Sequence, residues 1–193
     1  MRTRLVSAAL AVGLAACERS RPPDSSGGES AKSAATSGDI AQWTVRPDSF
    51  GRLPLGISLA AANAVLGESL PMERTFGSCA NVRSPKTPHG VSLMIERDSV
   101  SAPIRVERIN VDSAGVRTAE GASVGDTEER VKQLYGERLR VEPHKYTGPA
   151  GHYLIVQTAG DSLHRIVFET DGQRVLRFHA GRRPAVDYVE GCG

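Results

Sequence analysis

Twice along the chain, a segment in which apolar residues have helical spacing is followed by a segment in which apolar and polar residues alternate. In residues 55–68 and again in residues 124–137, apolar side chains recur every three or four positions. Downstream of each segment they alternate with polar side chains instead. The first spacing predicts a helix with one apolar face, and strict alternation predicts half-buried strands. The pattern therefore predicts two short helices, each followed by antiparallel strands.

The two helical segments align without gaps at an offset of 69 residues. Each begins after a hydroxyl residue, Ser58 or Thr127, which is predicted to cap the first turn. Each ends at a glycine, Gly67 or Gly136, which is predicted to adopt the left-handed conformation. The predicted apolar stripes are Ala62, Val65 and Leu66 in the first helix and Val131, Leu134 and Tyr135 in the second.

The strand pattern contains two further signals. The alternating apolar residues fall on even-numbered positions before Glu107-Arg108 and on odd-numbered positions after it, which predicts a β-bulge there. Asp171-Gly172 predicts a hairpin turn, with Ile166 and Phe168 paired to Leu176 and Phe178. The predicted class is α+β: a curved antiparallel sheet with short helices on one face, built from two tandem helix-plus-meander halves at about 42–111 and 112–193.

The first seventeen residues have a different pattern. Arg2 and Arg4 precede an uncharged apolar run of twelve residues, which is too short to span a bilayer as a stable helix. The run ends in Leu14-Ala15-Ala16-Cys17, which resembles the lipobox of bacterial lipoproteins. The resemblance implies that residues 1–16 are a signal peptide that is removed, and that Cys17 carries diacylglycerol and an acyl chain such as palmitate. The alternative is an ordinary secretory signal with an incidental cysteine.

Residues 18–39 contain no Leu, Val, Phe, Tyr or Trp. Such a segment cannot bury enough apolar surface to offset the entropy lost on ordering. We therefore expect a flexible tether over residues 17–41 and one domain over residues 42–193. Glu18 follows Cys17, and in the best-known sorting rule an Asp at this position retains lipoproteins at the inner membrane. Glu18 thus favours the outer membrane.

Charge excludes one class of partner. The chain has 24 Lys and Arg side chains against 22 Asp and Glu, and two of the arginines lie in the predicted signal peptide. The remainder is balanced, so nothing in the charge favours nucleic acid binding. Membrane attachment is expected through the lipid alone.

If Cys17 carries the lipid, two cysteines remain, Cys79 and Cys192. An exported protein meets an oxidising compartment, so a disulfide between Cys79 and Cys192 is predicted. This bond would hold the end of the chain against the first half of the domain. The alternatives are a metal site or a nucleophilic thiol, although neither cysteine has a nearby Cys or His in the sequence.

A glycine, a short capped helix, a second glycine and a β-meander, repeated in tandem, resemble a group of envelope and secreted proteins. The group includes the β-lactamase inhibitory protein and the small lipoprotein of the outer-membrane β-barrel assembly machine. The closing stretch, from Phe168-Glu169-Thr170-Asp171-Gly172 to Tyr188-Val189-Glu190-Gly191-Cys192, also resembles uncharacterised proteobacterial lipoproteins, some of which are labelled lectins. The resemblance covers residues 42–193 and implies a fold that binds proteins or envelope components without catalysis. The chain lacks the disulfides found within each half of the inhibitory protein.

Sequence patterns of catalysis and metal binding do not occur. The histidines show no HxxxH or HExxH spacing, and there is no GxSxG or SxxK motif. No Asp or Glu is expected in an apolar setting that would raise its pKa. We therefore expect no enzymatic activity, no catalytic residue, no metal and no cofactor.

Aromatic and arginine side chains are the candidates for binding. Tyr and Trp can stack on sugars or anchor a protein interface, and Arg can pair with carboxylates or acidic sugars. The alternatives are aromatic side chains half-buried in the sheet and arginines in a solvated turn. The predicted binding residues are Trp43, Tyr146, Tyr153, Arg182, Arg183 and Tyr188.

The sequence thus predicts a lipid-anchored, non-catalytic binding protein of the outer membrane whose domain faces the periplasm. The expected partner is another envelope protein, in an assembly or scaffold role. A lectin-like lipoprotein that binds carbohydrate is the first alternative, and an inhibitor of a periplasmic hydrolase is the second.

Overall fold

A computed structural model describes residues 43–71 and 77–192. The predicted signal peptide, the predicted lipidation site Cys17 and the predicted tether lie outside the described residues. In the part of the chain that is described, no helix is long and apolar enough to cross a membrane.

The described residues form eleven strands, two α-helices and two 3-10 turns. The first strands are β1 (Val45–Arg46), β2 (Ser49–Phe50), β3 (Leu53–Pro54), β4 (Ile57–Ser58), β5 (Cys79–Val82), β6 (Val91–Glu96) and β7 (Arg105–Val111). The later strands are β8 (Leu139–His144), β9 (Gly148–Thr158), β10 (Asp161–Thr170) and β11 (Val175–Arg182). The helices are α1 (Leu59–Leu66) and α2 (Glu128–Tyr135), and the 3-10 turns are Gly136–Arg138 and Ala185–Asp187.

The strands form two antiparallel sheets. The small sheet has the order β1-β2-β3, and the eight-stranded sheet has the order β5-β6-β7-β11-β10-β9-β8, with β4 paired to β7. The predicted antiparallel sheet with short helices is therefore confirmed, in a domain that is mostly β. Tandem halves are not evident in the described residues, because the large sheet runs without a break through β7 and β11.

Both predicted helix N-caps are confirmed. Ser58 Oγ accepts a hydrogen bond from the Ala61 amide at 3.3 Å, and Thr127 Oγ1 accepts one from the Arg130 amide at 3.2 Å. These bonds satisfy amides that have no partner within the first turn. Gly67 ends α1 in the predicted left-handed conformation, with φ 64° and ψ 34°.

Two details of the helix prediction are wrong. Gly136 has φ 54° and ψ −131°, so it does not adopt the left-handed helical conformation, and the chain continues into a 3-10 turn. Val65 is 37% exposed, whereas Ala62 and Leu66 are buried. The apolar stripe of α1 is therefore narrower than its spacing predicts.

The predicted β-bulge is confirmed in β7. Met94 pairs with Arg108 and Ile95 pairs with Val106, which leaves Glu107 as the extra residue. Because of the extra residue, Val106 before the bulge and Ile109 and Val111 after it all pack in the hydrophobic core.

The last hairpin has a different register from the predicted one. Antiparallel pairing of the predicted residues would place Ile166 opposite Phe178 and Phe168 opposite Leu176, whereas Phe168 pairs with Phe178 and Ile166 pairs with Ala180. A register shift next to Glu169 leaves Leu176 unpaired and 54% exposed. The predicted pairing of Leu176 is therefore wrong.

One side of the large sheet packs against α1 and α2 in a single hydrophobic cluster. Its largest fully buried side chains include Phe50, Phe168, Phe178, Leu53, Leu93, Ile109, Leu154 and Ile166. Because successive strand residues point to opposite sides, the intervening positions lie on the other side. We call that side the polar face, and it carries Asn81, Ser92, Arg108, Asn110, Tyr153, Glu169, Arg177 and His179.

Candidate binding site

Strand register brings polar side chains next to one another on the polar face. His179 of β11 pairs with Asn110 of β7. Two residues back along β11, Arg177 pairs with Glu169 of β10, which pairs in turn with Tyr153 of β9. Residues that are far apart in the sequence thus form two adjacent cross-strand rows.

Glu169 is a buried carboxylate at the centre of this arrangement. Its Oε2 accepts hydrogen bonds from Arg177 Nε at 2.9 Å and Nη2 at 2.7 Å. These hydrogen bonds raise the pKa of Arg177. His144 Nε2 lies 3.4 Å from the same oxygen. The charge of Glu169 is therefore compensated within the protein, as a buried carboxylate requires.

His179 is buried beside Glu169 and is held by the C-terminal segment. Its Nε2 donates to the carbonyl of Val186 at 3.0 Å, and its Nδ1 lies 3.7 Å from Glu169 Oε1. Burial holds the pKa of His179 well below its usual value, the positive charge of Arg108 adds to this, and the bond to Val186 opposes it. The imidazole is therefore neutral near pH 7 and acts as a hydrogen-bond donor.

Arg108 is a second buried cation on the polar face. Its Nη1 donates to the carbonyl of Tyr188 at 2.7 Å and to that of Ala185 at 3.4 Å. Its Nε donates to Asn110 Oδ1 at 2.6 Å. Burial lowers the pKa of Arg108 to about 10, and the negative charge of Glu169 opposes the shift. The guanidinium stays charged at neutral pH and binds backbone carbonyls of the C-terminal segment.

The C-terminal segment, residues 183–192, crosses the polar face over these buried groups. Arg165 Nη1 donates to Asp187 Oδ1 at 2.9 Å, and Tyr188 Oη donates to Glu96 at 3.1 Å. The end of the segment is fixed by the disulfide between Cys79 and Cys192, whose Cα atoms lie 5.5 Å apart. The structure therefore contains the predicted disulfide.

A cavity of about 460 Å³ opens on one side of the C-terminal segment. We call it the polar cavity, and its lining includes Asn81, Ser92, Arg108, Asn110, Tyr146, Glu169, Arg177 and Glu190. Asn110 Nδ2 donates to Asn81 Oδ1 at 3.1 Å and to Ser92 Oγ at 3.2 Å. The Tyr146 hydroxyl bonds to the Glu190 carboxylate, and the ring is 57% exposed. The polar cavity thus offers amide, guanidinium and carboxylate groups beside one exposed aromatic ring.

The structure brings four of the six predicted binding residues to cavities along the C-terminal segment. Tyr146 lines the polar cavity, and Tyr153, Arg183 and Tyr188 line a second one on the other side.

Trp43 and Arg182 lie elsewhere. The Trp43 ring packs against Phe50 with centroids 4.9 Å apart, at the edge of the hydrophobic core. Arg182 Nη1 lies 3.5 Å from Glu107 Oε1 and does not line either cavity.

The Glu107 carboxyl differs from what the sequence predicted for the pKa values of the acidic residues. Burial raises the pKa of its carboxyl, although the charge of Arg182 and a hydrogen bond from it oppose this. The prediction that no acid has a raised pKa is therefore wrong, because the bulge residue of β7 is buried in the sheet.

The sequence pattern did not reveal the polar centre formed by the buried Arg108, Glu169 and His179 together with the half-buried Asn110. The only local signal was that these residues alternate with core residues on their strands. Within residues 43–71 and 77–192, no group of three or more His, Cys, Asp or Glu could hold a metal ion.

Comparisons with protein families, with curated proteins and with solved structures found no match for this chain. The resemblance to the inhibitory-protein and assembly-lipoprotein group therefore stays a prediction.

Proposed function

We propose that this chain is a lipid-anchored, non-catalytic binding protein of the bacterial cell envelope. The lipobox-like ending at Cys17 supports the anchor, and Glu18 favours the outer membrane with the domain facing the periplasm. The polar face supports binding rather than catalysis, because its central ionisable groups are engaged with one another or with backbone carbonyls.

The ligand class that the polar cavity fits best is carbohydrate. Sugar hydroxyls need donors and acceptors, which the Asn81 amide, the Arg177 guanidinium and the Glu190 carboxylate supply, and an apolar sugar face needs a ring such as that of Tyr146. The proposal rests on the exposed Tyr146 ring, which lines the same cavity as two amides and a guanidinium.

Exposed apolar side chains offer less support for a large protein interface. A stable interface has an apolar centre of contiguous residues. Among residues 43–71 and 77–192, the large exposed apolar side chains lie on six different elements and loops, namely Val65, Val100, Val141, Tyr146, Leu163 and Leu176. An envelope protein as partner and inhibition of a periplasmic hydrolase remain alternative predictions.

Titration of soluble glycan fragments of bacterial envelope into the full-length protein in detergent tests the proposal. Tyr146→Ser removes the exposed ring and should weaken binding about fivefold to tenfold. Leu176→Ser is the matched control, because it removes an equally exposed apolar side chain outside the cavity. Equal affinities for the two variants, or no binding by the wild type, would contradict a glycan site in the polar cavity.

A further inference from the structure

Among the described residues that line the polar cavity, each of the three arginines is already engaged within the protein. Arg177 donates through Nε and Nη2 to the Glu169 carboxylate. Arg83 Nη2 lies 3.3 Å from the Asp112 carboxylate. Arg108 is only 6% exposed and donates to backbone carbonyls of the C-terminal segment. An acidic sugar in the cavity would therefore find every guanidinium that lines it already bound to an acceptor of the protein.

The Glu190 carboxylate is in the opposite situation. Its side chain is exposed, and within residues 43–71 and 77–192 it bonds to the Tyr146 hydroxyl alone. This hydrogen bond raises the pKa of Tyr146, so the phenol keeps its proton and acts as the donor. A carboxylate has about four acceptor positions. The positions that Tyr146 does not use are therefore open to hydroxyl groups of a ligand.

The bond between Tyr146 and Glu190 also places these acceptors next to the exposed ring. Tyr146 lies in the turn between β8 and β9, whereas Glu190 belongs to the C-terminal segment, which the disulfide at Cys192 fixes. The ring is 57% exposed, so a sugar can stack on it. The hydroxyl groups at the edge of a stacked sugar then lie towards a carboxylate, which can accept from two adjacent hydroxyls at once.

We infer that the polar cavity binds an uncharged sugar that has two adjacent hydroxyl groups, and that Glu190 determines this specificity. The inference rests on the proposed glycan binding. Glu190 accepts hydrogen bonds from both hydroxyls, and the apolar face of the sugar packs on Tyr146. A sugar that carries a carboxylate is rejected, because it would place a second negative charge beside Glu190 without a guanidinium of its own.

Glycan fragments separated by charge test the inference. Fragments of bacterial envelope glycan are divided by anion exchange into an uncharged and a carboxyl-bearing fraction, and each fraction is titrated into the full-length protein in detergent. The uncharged fraction should bind at least about fivefold more tightly. Reduction of the carboxyl groups to alcohols removes the charge and keeps the sugar rings, so it should raise the affinity of the acidic fraction about fivefold.

The Glu190→Gln variant keeps the size of the side chain and removes its charge. It should bind the uncharged fraction about fivefold more weakly, because charge-assisted hydrogen bonds are lost, and it should bind the two fractions with affinities within about twofold of each other. A purely structural role of Glu190 would lower both affinities and leave their ratio unchanged. Glu129→Gln is the matched control, since Glu129 is exposed on α2 and does not line the polar cavity, and this variant should behave as the wild type does.

The outcomes separate this inference from the proposed function. If the wild type binds the acidic fraction equally well before and after carboxyl reduction, or if the ratio of affinities is unchanged in Glu190→Gln, the specificity is overturned and glycan binding stands. A wild type that binds neither fraction would overturn both.

Discussion

Arg108 Nη1 donates a hydrogen bond to the carbonyl oxygen of Tyr188 at 2.7 Å, joining strand β7 to the C-terminal segment. The guanidinium is buried, and it also reaches the carbonyl of Ala185. A cation from the middle of the large sheet therefore fixes the segment that separates the polar cavity from the second cavity. The geometry of both cavities depends on this contact.

Replacement of Arg108 by Met should lower the free energy of unfolding by about 2–4 kcal/mol, because the carbonyls of Tyr188 and Ala185 lose their buried donor. Urea denaturation followed by circular dichroism measures the effect. Arg83→Met is the control, since Arg83 pairs with Asp112 at the surface and should contribute less than about 1 kcal/mol. Equal losses in the two variants would show that the buried contact contributes no more to the free energy of unfolding than a surface ion pair does.

The disulfide should account for a large share of the stability. Cys79 and Cys192 are separated by 113 positions, and the chain-entropy model gives about 4–5 kcal/mol for a loop of that length. The double variant Cys79→Ser, Cys192→Ser should lose an amount of this order in urea denaturation. Thiol labelling of the wild type should modify neither Cys79 nor Cys192 until reductant is added, and modification of either one without reductant would refute the bond.

His179 predicts a dependence of stability on pH. Burial places its pKa in the folded protein below the value of 6.5 that it has when exposed. Between these two values the unfolded chain binds more protons, so stability falls as the pH is lowered below about 6.5, by at most about 1.4 kcal/mol per pH unit.

The His179→Gln variant isolates this contribution, because an amide can still donate to Val186 but does not titrate. Its stability should fall less steeply between about pH 6.5 and pH 5 than that of the wild type. His89 is exposed, so His89→Gln serves as the control and should follow the wild-type curve. A wild-type slope shared by all three proteins would mean that His179 is not buried and neutral.

The lipid anchor is tested by Cys17→Ala. If Cys17 carries the lipid, the variant should accumulate as an unprocessed or soluble form, since the acyl chains supply the membrane affinity. Fractionation of cells with and without the substitution measures this. A variant that sediments with membranes like the wild type would show that another feature holds the protein there.

The pattern of the sequence was sufficient to predict where both helices begin and where the β-bulge lies. The caps at Ser58 and Thr127 and the bulge at Glu107 follow from a few neighbouring residues, and each occurs as predicted. The exposed Leu176 was not predictable in the same way, because a one-residue shift in pairing depends on the partner strand.

The candidate site was less predictable, for a physical reason. The alternation of polar and apolar residues predicts the face of the sheet on which Asn110 or His179 lies. It does not predict that β7 and β11 are neighbours in the sheet. The C-terminal segment contributes backbone carbonyls at Val186 and Tyr188, and such groups have no signature in the sequence. Buried polar centres of this kind are visible only after the strand order is known.

Capture from solubilised bacterial envelope tests whether the polar cavity binds glycan. The full-length protein is immobilised beside its Tyr146→Ser and Leu176→Ser variants, and retained glycans and proteins are identified by mass spectrometry. If the polar cavity binds glycan, a glycan should be retained by the wild type and by Leu176→Ser, and largely lost from Tyr146→Ser. A single protein retained in stoichiometric amount without glycan, or nothing retained by the wild type, would contradict it.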